Sequence, residues 1–177
     1  DGALDDRETA VRFLKIIDSE TARLNRLAED LLNLARLEDP GILMKMQPVE
    51  LGKICSKILK QYGKLAQTRG VLLECLYPED LPPVQGDPDW LSQVIINLVD
   101  NAIKYIGKGT RVRVEAGMEE EFVRIRVSDD GIGILEEARK RIFERFYRVD
   151  RDRSRDYGGT GLGLSIVKHV VESHGGA

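Results

Sequence analysis

The sequence predicts a mixed α/β fold behind a long helix. Residues 5–38 keep one helical apolar period throughout. After them, segments of helical period alternate with short apolar runs. RVRVEA (111–116) and FVRIRV (122–127), flanking GMEEE, alternate strongly enough to read as a β-hairpin with one solvated face.

In the long helix, Phe13, Ile17, Leu24, Leu27, Leu31 and Leu34 recur at helical steps, and Asp39-Pro40-Gly41 stops it. At about 1.5 Å per residue it spans roughly 50 Å. A small domain does not cover that length, so its one-sided stripe calls for a partner helix. LMKMQPVEL (43–51) reads as a short strand. LGKICSKILKQYGKLAQTRG (51–70) reads as a helix ending at Gly70, and VLLECLY (71–77) as a buried strand. The turn-rich EDLPPVQGDPDW leads into the next helix, with Asp87 as cap and Pro88 in the first turn. ARKRIFERFYRVD (138–150) is expected to be helical. RDRSRDYGGTG is a charged, glycine-rich loop, and LGLSIVKHVVESHGG a final helix with its glycine stop.

The 177 residues suffice for one compact domain plus an extra element. A formal charge of −3 provides no global basic footprint for nucleic acid. No apolar run approaches the roughly 20 residues of a membrane span. Cys55 and Cys75 form neither a CxxC nor a metal set, and read as buried thiols of a reducing, cytoplasmic compartment. An anchor, if the parent protein has one, lies outside this sequence.

In DPDWLSQVIINLVDNAIKYIGKG, Gln93, Asn97, Asp100, Asn101, Lys104 and Lys108 share one narrow helical stripe, and apolar residues cover the remainder. Such a helix is packed on most sides. The stripe either faces bulk water or lines a site. A freely solvated stripe usually favours lysine and glutamate, so two asparagines argue weakly for a site. A neutral amide oxygen suits Mg²⁺ when phosphates supply the negative charge, and Lys104 one turn on suits a phosphate.

At the end of FVRIRV, Asp129-Asp130-Gly131-Ile132-Gly133 is either a plain turn or a carboxylate placed to accept a bond from a base amine. A calcium loop fits poorly, because too few oxygen ligands follow. GGTGLGL, Gly158 to Leu164, opens the last helix and offers backbone amides as a phosphate cradle. It is no Walker loop, lacking the closing Gly-Lys-Ser/Thr, and no Rossmann turn, because charged loop precedes it. Flanked by Arg151, Asp152, Arg153 and Arg155, it reads as a mobile lid. Phe143, Phe146 and Tyr147 are expected to anchor its base. Arg148 either reaches a polyphosphate or merely solvates its helix.

In this order, NLVDNAIKY, DDGIG, IFERFYRVD and GGTGLGL resemble the asparagine, first glycine, phenylalanine and second glycine boxes of bacterial sensor histidine kinases, in the GHKL ATP-binding superfamily. The match covers roughly residues 45–176. NRLAEDLLNLARLED resembles the end of the second helix of that family's dimerisation hairpin. The resemblance implies a two-layer α/β sandwich, a mixed sheet covered on one face by helices, with the long helix projecting. It divides the chain into 1–39, a partial dimerisation helix, and 42–177, an ATP-binding catalytic domain expected to lack its last strands.

The resemblance also implies roles and partners. Asn101 would hold Mg²⁺ with Asn97 assisting, and Lys104 and Arg148 would contact phosphate. Asp129 would bind the adenine amine, Gly131 and Gly133 would shape the pocket, and Tyr105 would line it. Gly159, Thr160, Gly161, Leu162, Gly163 and Leu164 would form the ATP lid. The implied reaction is transfer of the γ-phosphoryl group of Mg-ATP to a histidine outside this chain. A response regulator and a second copy of the full-length protein are the implied partners. Related hydrolases carry a water-activating glutamate where Asn97 stands, and an amide cannot take that proton. The alternatives are an ATPase or a nucleotide-binding module without catalysis. The family's acceptor histidine, on the first hairpin helix, is absent. His169 and His174 read as a helix-surface residue and one beside a C-cap glycine.

Overall fold

The computed structural model describes residues 6–39, 41, 43–149 and 159–177. Helix α1 (Arg7–Glu38) starts at Asp6, whose carboxylate accepts the Glu8 amide at 3.1 Å. It ends where Asp39 turns extended and its Oδ1 accepts the Gly41 amide at 2.8 Å. Strand β1 (Gln47–Val49) is shorter than the expected 43–51. It pairs antiparallel with β3 (Val84–Gly86), inside a segment whose prolines suggested only turns. Helix α2 (Leu51–Thr68) stops at Gly70, which takes φ +68° as a C-cap glycine must.

Helix α3 (Pro88–Tyr105) is capped by Asp87, whose Oδ1 accepts the amides of Asp89 at 3.0 Å and Trp90 at 3.3 Å. The main sheet among the described residues has the order β2–β4–β5. Strand β2 (Leu72–Leu76) runs parallel to β4 (Arg111–Glu119), and β4 antiparallel to β5 (Phe122–Asp129). The hairpin turn is only Glu120-Glu121, with Glu120 at φ +55°, so Gly117–Glu119 belong to β4 and not to the connection.

The register explains the two layers. Leu73, Cys75, Val112, Val114, Ala116, Ile125 and Val127 turn to one face, beneath α2 and α3. Glu74 and Arg113, paired across the strands at 2.8 Å, occupy the other. Cys55, Ile58, Leu59, Ile95, Val99 and Ile103 complete that core. A second core lies on the far side of α3, where Val94 meets Leu162, Ile166, Val167 and Val170 of the C-terminal helix region, and Leu34 of α1. Apolar contacts on both flanks are what a helix with one polar stripe needs.

Two expectations are corrected. Among the described residues of the stretch expected to form a helix over 138–150, only the end of α4 (Glu136–Arg139) is helical. Turns follow, and Phe146 takes φ +60°, a left-handed backbone that no helix continues. The stripe of α1 also divides. Leu34 is buried and Leu27 half-buried against the chain's own domain, whereas Leu24, Leu31, Phe13 and Ile17 are exposed. The final helix is α5 (Gly163–Ser173).

Candidate nucleotide site

The α3 stripe forms one wall. Gln93 Nε2 donates to Asn97 Oδ1 at 3.3 Å, and Asn97 Nδ2 donates to the Gly163 carbonyl at 3.2 Å. Both ends of that amide are engaged, and it ties the first residue of α5 to α3. Asn101 lies one turn further, half-buried. Lys104 pairs with Asp100 on its own helix, and its side chain is only 13% exposed. Tyr105 closes the helix. Burial pushes its phenol up, and the charge of nearby Arg148 partly offsets this.

The first glycine box stands at the end of β5. Asp129 Oδ1 accepts the Gly131 amide at 3.0 Å, a local turn that leaves the carboxylate exposed. A Cβ on Gly131 would lie 2.8 Å from both Cα and O of Ile106, so this glycine is what lets β5 approach the end of α3. Gly133 takes φ +69° in open space.

Sequence reasoning passed over Asp130. Its Oδ1 accepts the amides of Thr110 and Arg111, each at 2.8 Å, and these bonds, Arg111 first, hold its carboxyl below the usual range. Gly109 fits against it, since a Cβ there would lie 2.6 Å from the Asp130 carbonyl oxygen. The signal was present in IGKGT, two glycines directly after a helix. Reading it required knowing what the loop wraps.

The second glycine box packs on the phenylalanine box through backbone. Phe146 N donates to the Gly161 carbonyl at 2.9 Å. Gly161 takes φ +76°, and a Cβ there would meet Phe146 Cα at 2.9 Å. The expected apolar anchor is therefore a main-chain one. Phe143 and Phe146 are exposed, and Tyr147 lies 4.3 Å beneath the Arg141 guanidinium. Leu162 is fully buried and seats the head of α5. Gly159 and Leu164 are half-buried on either side. Arg151, Asp152, Arg153, Arg155 and Gly158, expected from the sequence to belong to a lid, lie outside the described residues.

Three contacts come from α1, which sequence reasoning had kept apart. Thr160 Oγ1 donates to Asp30 Oδ2 at 2.6 Å. Glu38 pairs with Arg145. His169 Nε2 lies 3.2 Å from the Leu37 carbonyl, so it faces α1 and not open surface. His174 does precede a left-handed glycine, Gly175, and also accepts the Asp87 amide on Nε2 at 3.0 Å while Nδ1 donates to the Val170 carbonyl at 2.7 Å. It thereby clasps the end of α5 to the start of α3.

Residues 86–177, which hold every box described above, match the family described as histidine kinase-, DNA gyrase B-, and HSP90-like ATPase. The chain belongs to that family. Among its relatives, the sensor histidine kinase WalK of Bacillus subtilis (strain 168) is 36% identical over 99% of this chain, which spans 29% of WalK's length. Full-length ShkA in complex with AMPPNP superposes with a TM-score of 0.78 at 29% identity, over 97% of this chain and 35% of ShkA. The structure of the mycobacterial sensor histidine kinase MprB gives 0.62 at 31% identity, over 75% of this chain and 82% of the chain in that structure. The mixed sheet under helices is thus the fold of this ATPase family, and in this chain a long helix precedes it. Among the described residues no helix is long and apolar enough to cross a membrane.

Proposed function

We propose that this ATPase-family chain is the ATP-binding kinase part of a two-component sensor histidine kinase. It would bind Mg-ATP and transfer the γ-phosphoryl group to a histidine outside the chain. Residues 1–39 would belong to the dimerisation hairpin and 42–177 to the catalytic domain. The observation that carries this reading is the meeting of the boxes. The amide stripe of α3, the Asp129 turn and the head of α5 are joined directly, by the Asn97–Gly163 bond and by the seat of Gly131 on Ile106.

The division of labour follows from chemistry. Asp129, exposed at a strand end, accepts the adenine amine, with Gly131 and Gly133 shaping the approach and Tyr105 lining it. Residues 159–164 supply backbone amides to the phosphates, and Lys104 and Arg148 supply charge. Among the described residues no three His, Cys, Asp or Glu side chains converge on a cation site. A divalent ion would therefore draw on the Asn101 amide, with Asn97 on the same wall, and on the phosphates themselves, which is how Mg²⁺ is commonly held. Held by these residues, the ion would supply positive charge against the charge that develops on the transferred phosphate. Asn97 takes no proton, so the site favours an outside nucleophile over water.

The test is calorimetric titration followed by transfer. Asn101→Ala should lose most of the Mg²⁺-dependent gain in ATP affinity, and Asp129→Asn should weaken ATP about tenfold, the scale of one charge-assisted bond. Supplied with a histidine-bearing hairpin and labelled ATP, the chain should label that hairpin and not itself. ATP turnover to ADP without transfer to any such hairpin would replace the kinase reading by the ATPase one. The full-length protein would act as a homodimer that passes phosphate to a response regulator.

A further inference from the structure

We propose that Asp30 of α1 competes with the nucleotide's phosphates, so that α1 docks most tightly on the nucleotide-free site and ATP weakens that docking. This rests on the nucleotide-site reading above and adds its regulation by α1.

Asp30 is half-buried on the side of α1 that faces the domain. Its Oδ2 accepts the Thr160 hydroxyl at 2.6 Å, and the same hydroxyl accepts the Leu162 amide at 3.3 Å. The carboxylate thus reaches, through one side chain, the Leu162 amide, one of those that would cradle phosphate. It also lies within the field of Lys104, the cation assigned to phosphate, which already pairs with Asp100. Burial pushes the Asp30 carboxyl up, and the Thr160 bond and the Lys104 charge work against that push. A polyphosphate entering the site brings several negative charges to the same hydroxyl and the same ammonium. Both anions cannot keep these partners without repulsion at short range.

Asp30 is held there by more than its own bond. Leu34 is buried and Leu27 and Leu37 half-buried against α3 and α5, and the Glu38–Arg145 pair and the Leu37 carbonyl at His169 extend the dock. Easing the repulsion therefore means loosening α1. By linkage, the factor by which docked α1 weakens ATP binding equals the factor by which ATP weakens docking.

The experiment compares ATP and adenosine on the whole chain, wild type against Asp30→Asn, with Asp30→Ser as a second neutral variant. Asparagine keeps an acceptor for Thr160 and removes only the charge. Glu29→Gln, an exposed neighbour on α1, is the control. Both Asp30 variants should tighten ATP by about five- to tenfold, the lower range of measured couplings. Adenosine affinity should stay unchanged, the gain should shrink as salt rises, and Glu29→Gln should have little effect.

Trp90, the sole tryptophan, packs half-buried in the cluster that Leu34 joins. Its emission should move to longer wavelength with ATP and not with adenosine. Equal ATP affinity in wild type and both Asp30 variants would overturn the proposal. So would equal gains for ATP and adenosine, or a Trp90 emission indifferent to ATP. A wild-type chain that binds no ATP would overturn the nucleotide reading itself, a result distinguishable from all of these.

Discussion

Replacing Gly131 by alanine places a methyl group where backbone already stands. The added Cβ would lie 2.7 Å from Asp129 Oδ1 and 2.8 Å from both Cα and O of Ile106. Non-bonded carbons settle at about 3.5–4.0 Å, so the overlap approaches an ångström. No rotamer relieves it, because two of the three atoms are main chain at the end of α3, and Ile106 itself is only 5% exposed. Relief must come from moving the end of β5 away from α3. Overpacking of this kind costs about 1–3 kcal/mol. For a chain of 177 residues, at about 2–4 °C per kcal/mol, Tm should fall by about 2–12 °C.

The same movement carries Asp129 away from the Asn101 wall, so ATP affinity should fall about tenfold or more, the worth of one charge-assisted bond. Gly63→Ala is the internal comparison. Nothing lies within 4 Å of its added Cβ, in the interior of α2, and alanine there should stabilise by about 0.5–1 kcal/mol. Thermal unfolding followed by circular dichroism, with a calorimetric ATP titration on each variant, reads both effects. An unchanged Tm and ATP affinity in Gly131→Ala would refute the close-approach argument, as would a loss of stability that Gly63→Ala shares.

Leu34→Ala should cost about 2–5 kcal/mol, the range for a buried leucine truncated in a core, because Leu34 is 6% exposed between α1, α3 and α5. Denaturant unfolding followed by Trp90 fluorescence measures it, and an unchanged midpoint would mean that α1 is not docked in solution. Asp130→Asn should destabilise at neutral pH. The Asp130 carboxyl is held low by the Arg111 and Thr110 amides, so its stabilisation is present above the unfolded carboxylate range and lost as pH falls through the lower folded value. Stability curves of wild type and variant should therefore converge in acid; a constant gap would place the effect elsewhere. Burial, then the neighbouring Cys75, pushes the Cys55 thiol up to about 12. At pH 8 native Cys55 should resist alkylation. Half-buried Cys75, whose thiol burial also pushes up, should react faster than Cys55 but slower than in denaturant, which should release both. Equal native rates would contradict the burial.

By itself the sequence determined whatever is local. Asp87 and Pro88 start α3 because a side-chain acceptor and a fixed φ act within one turn, and Gly70 ends α2 because only the left-handed backbone matters there. The period of residues 88–105 announced a packed helix with one polar stripe. The alternation of 111–116 and 122–127 announced a hairpin with one wet face. The candidate site was legible as four short runs whose order resembles the boxes of a known family, while each run alone left a plainer reading open.

What only tertiary structure decided are the meetings between runs distant in the chain. Residues 138–150 carry helical residue types, yet beyond Arg139 the described chain turns, where Phe146 adopts a left-handed backbone and its amide bonds to Gly161, a partner no local window contains. Leu27 and Leu34 looked like a seam for an outside helix, and α3 and α5 take them instead. Asp30, Asp130 and His174 carry no motif of their own. Each acquires its role from an atom presented by another element: the Thr160 hydroxyl, the Thr110 and Arg111 amides, the Asp87 amide. Hydrogen bonds reach only about 3 Å, so a pairing across 130 or 87 positions of chain exists only once the fold has brought both ends together.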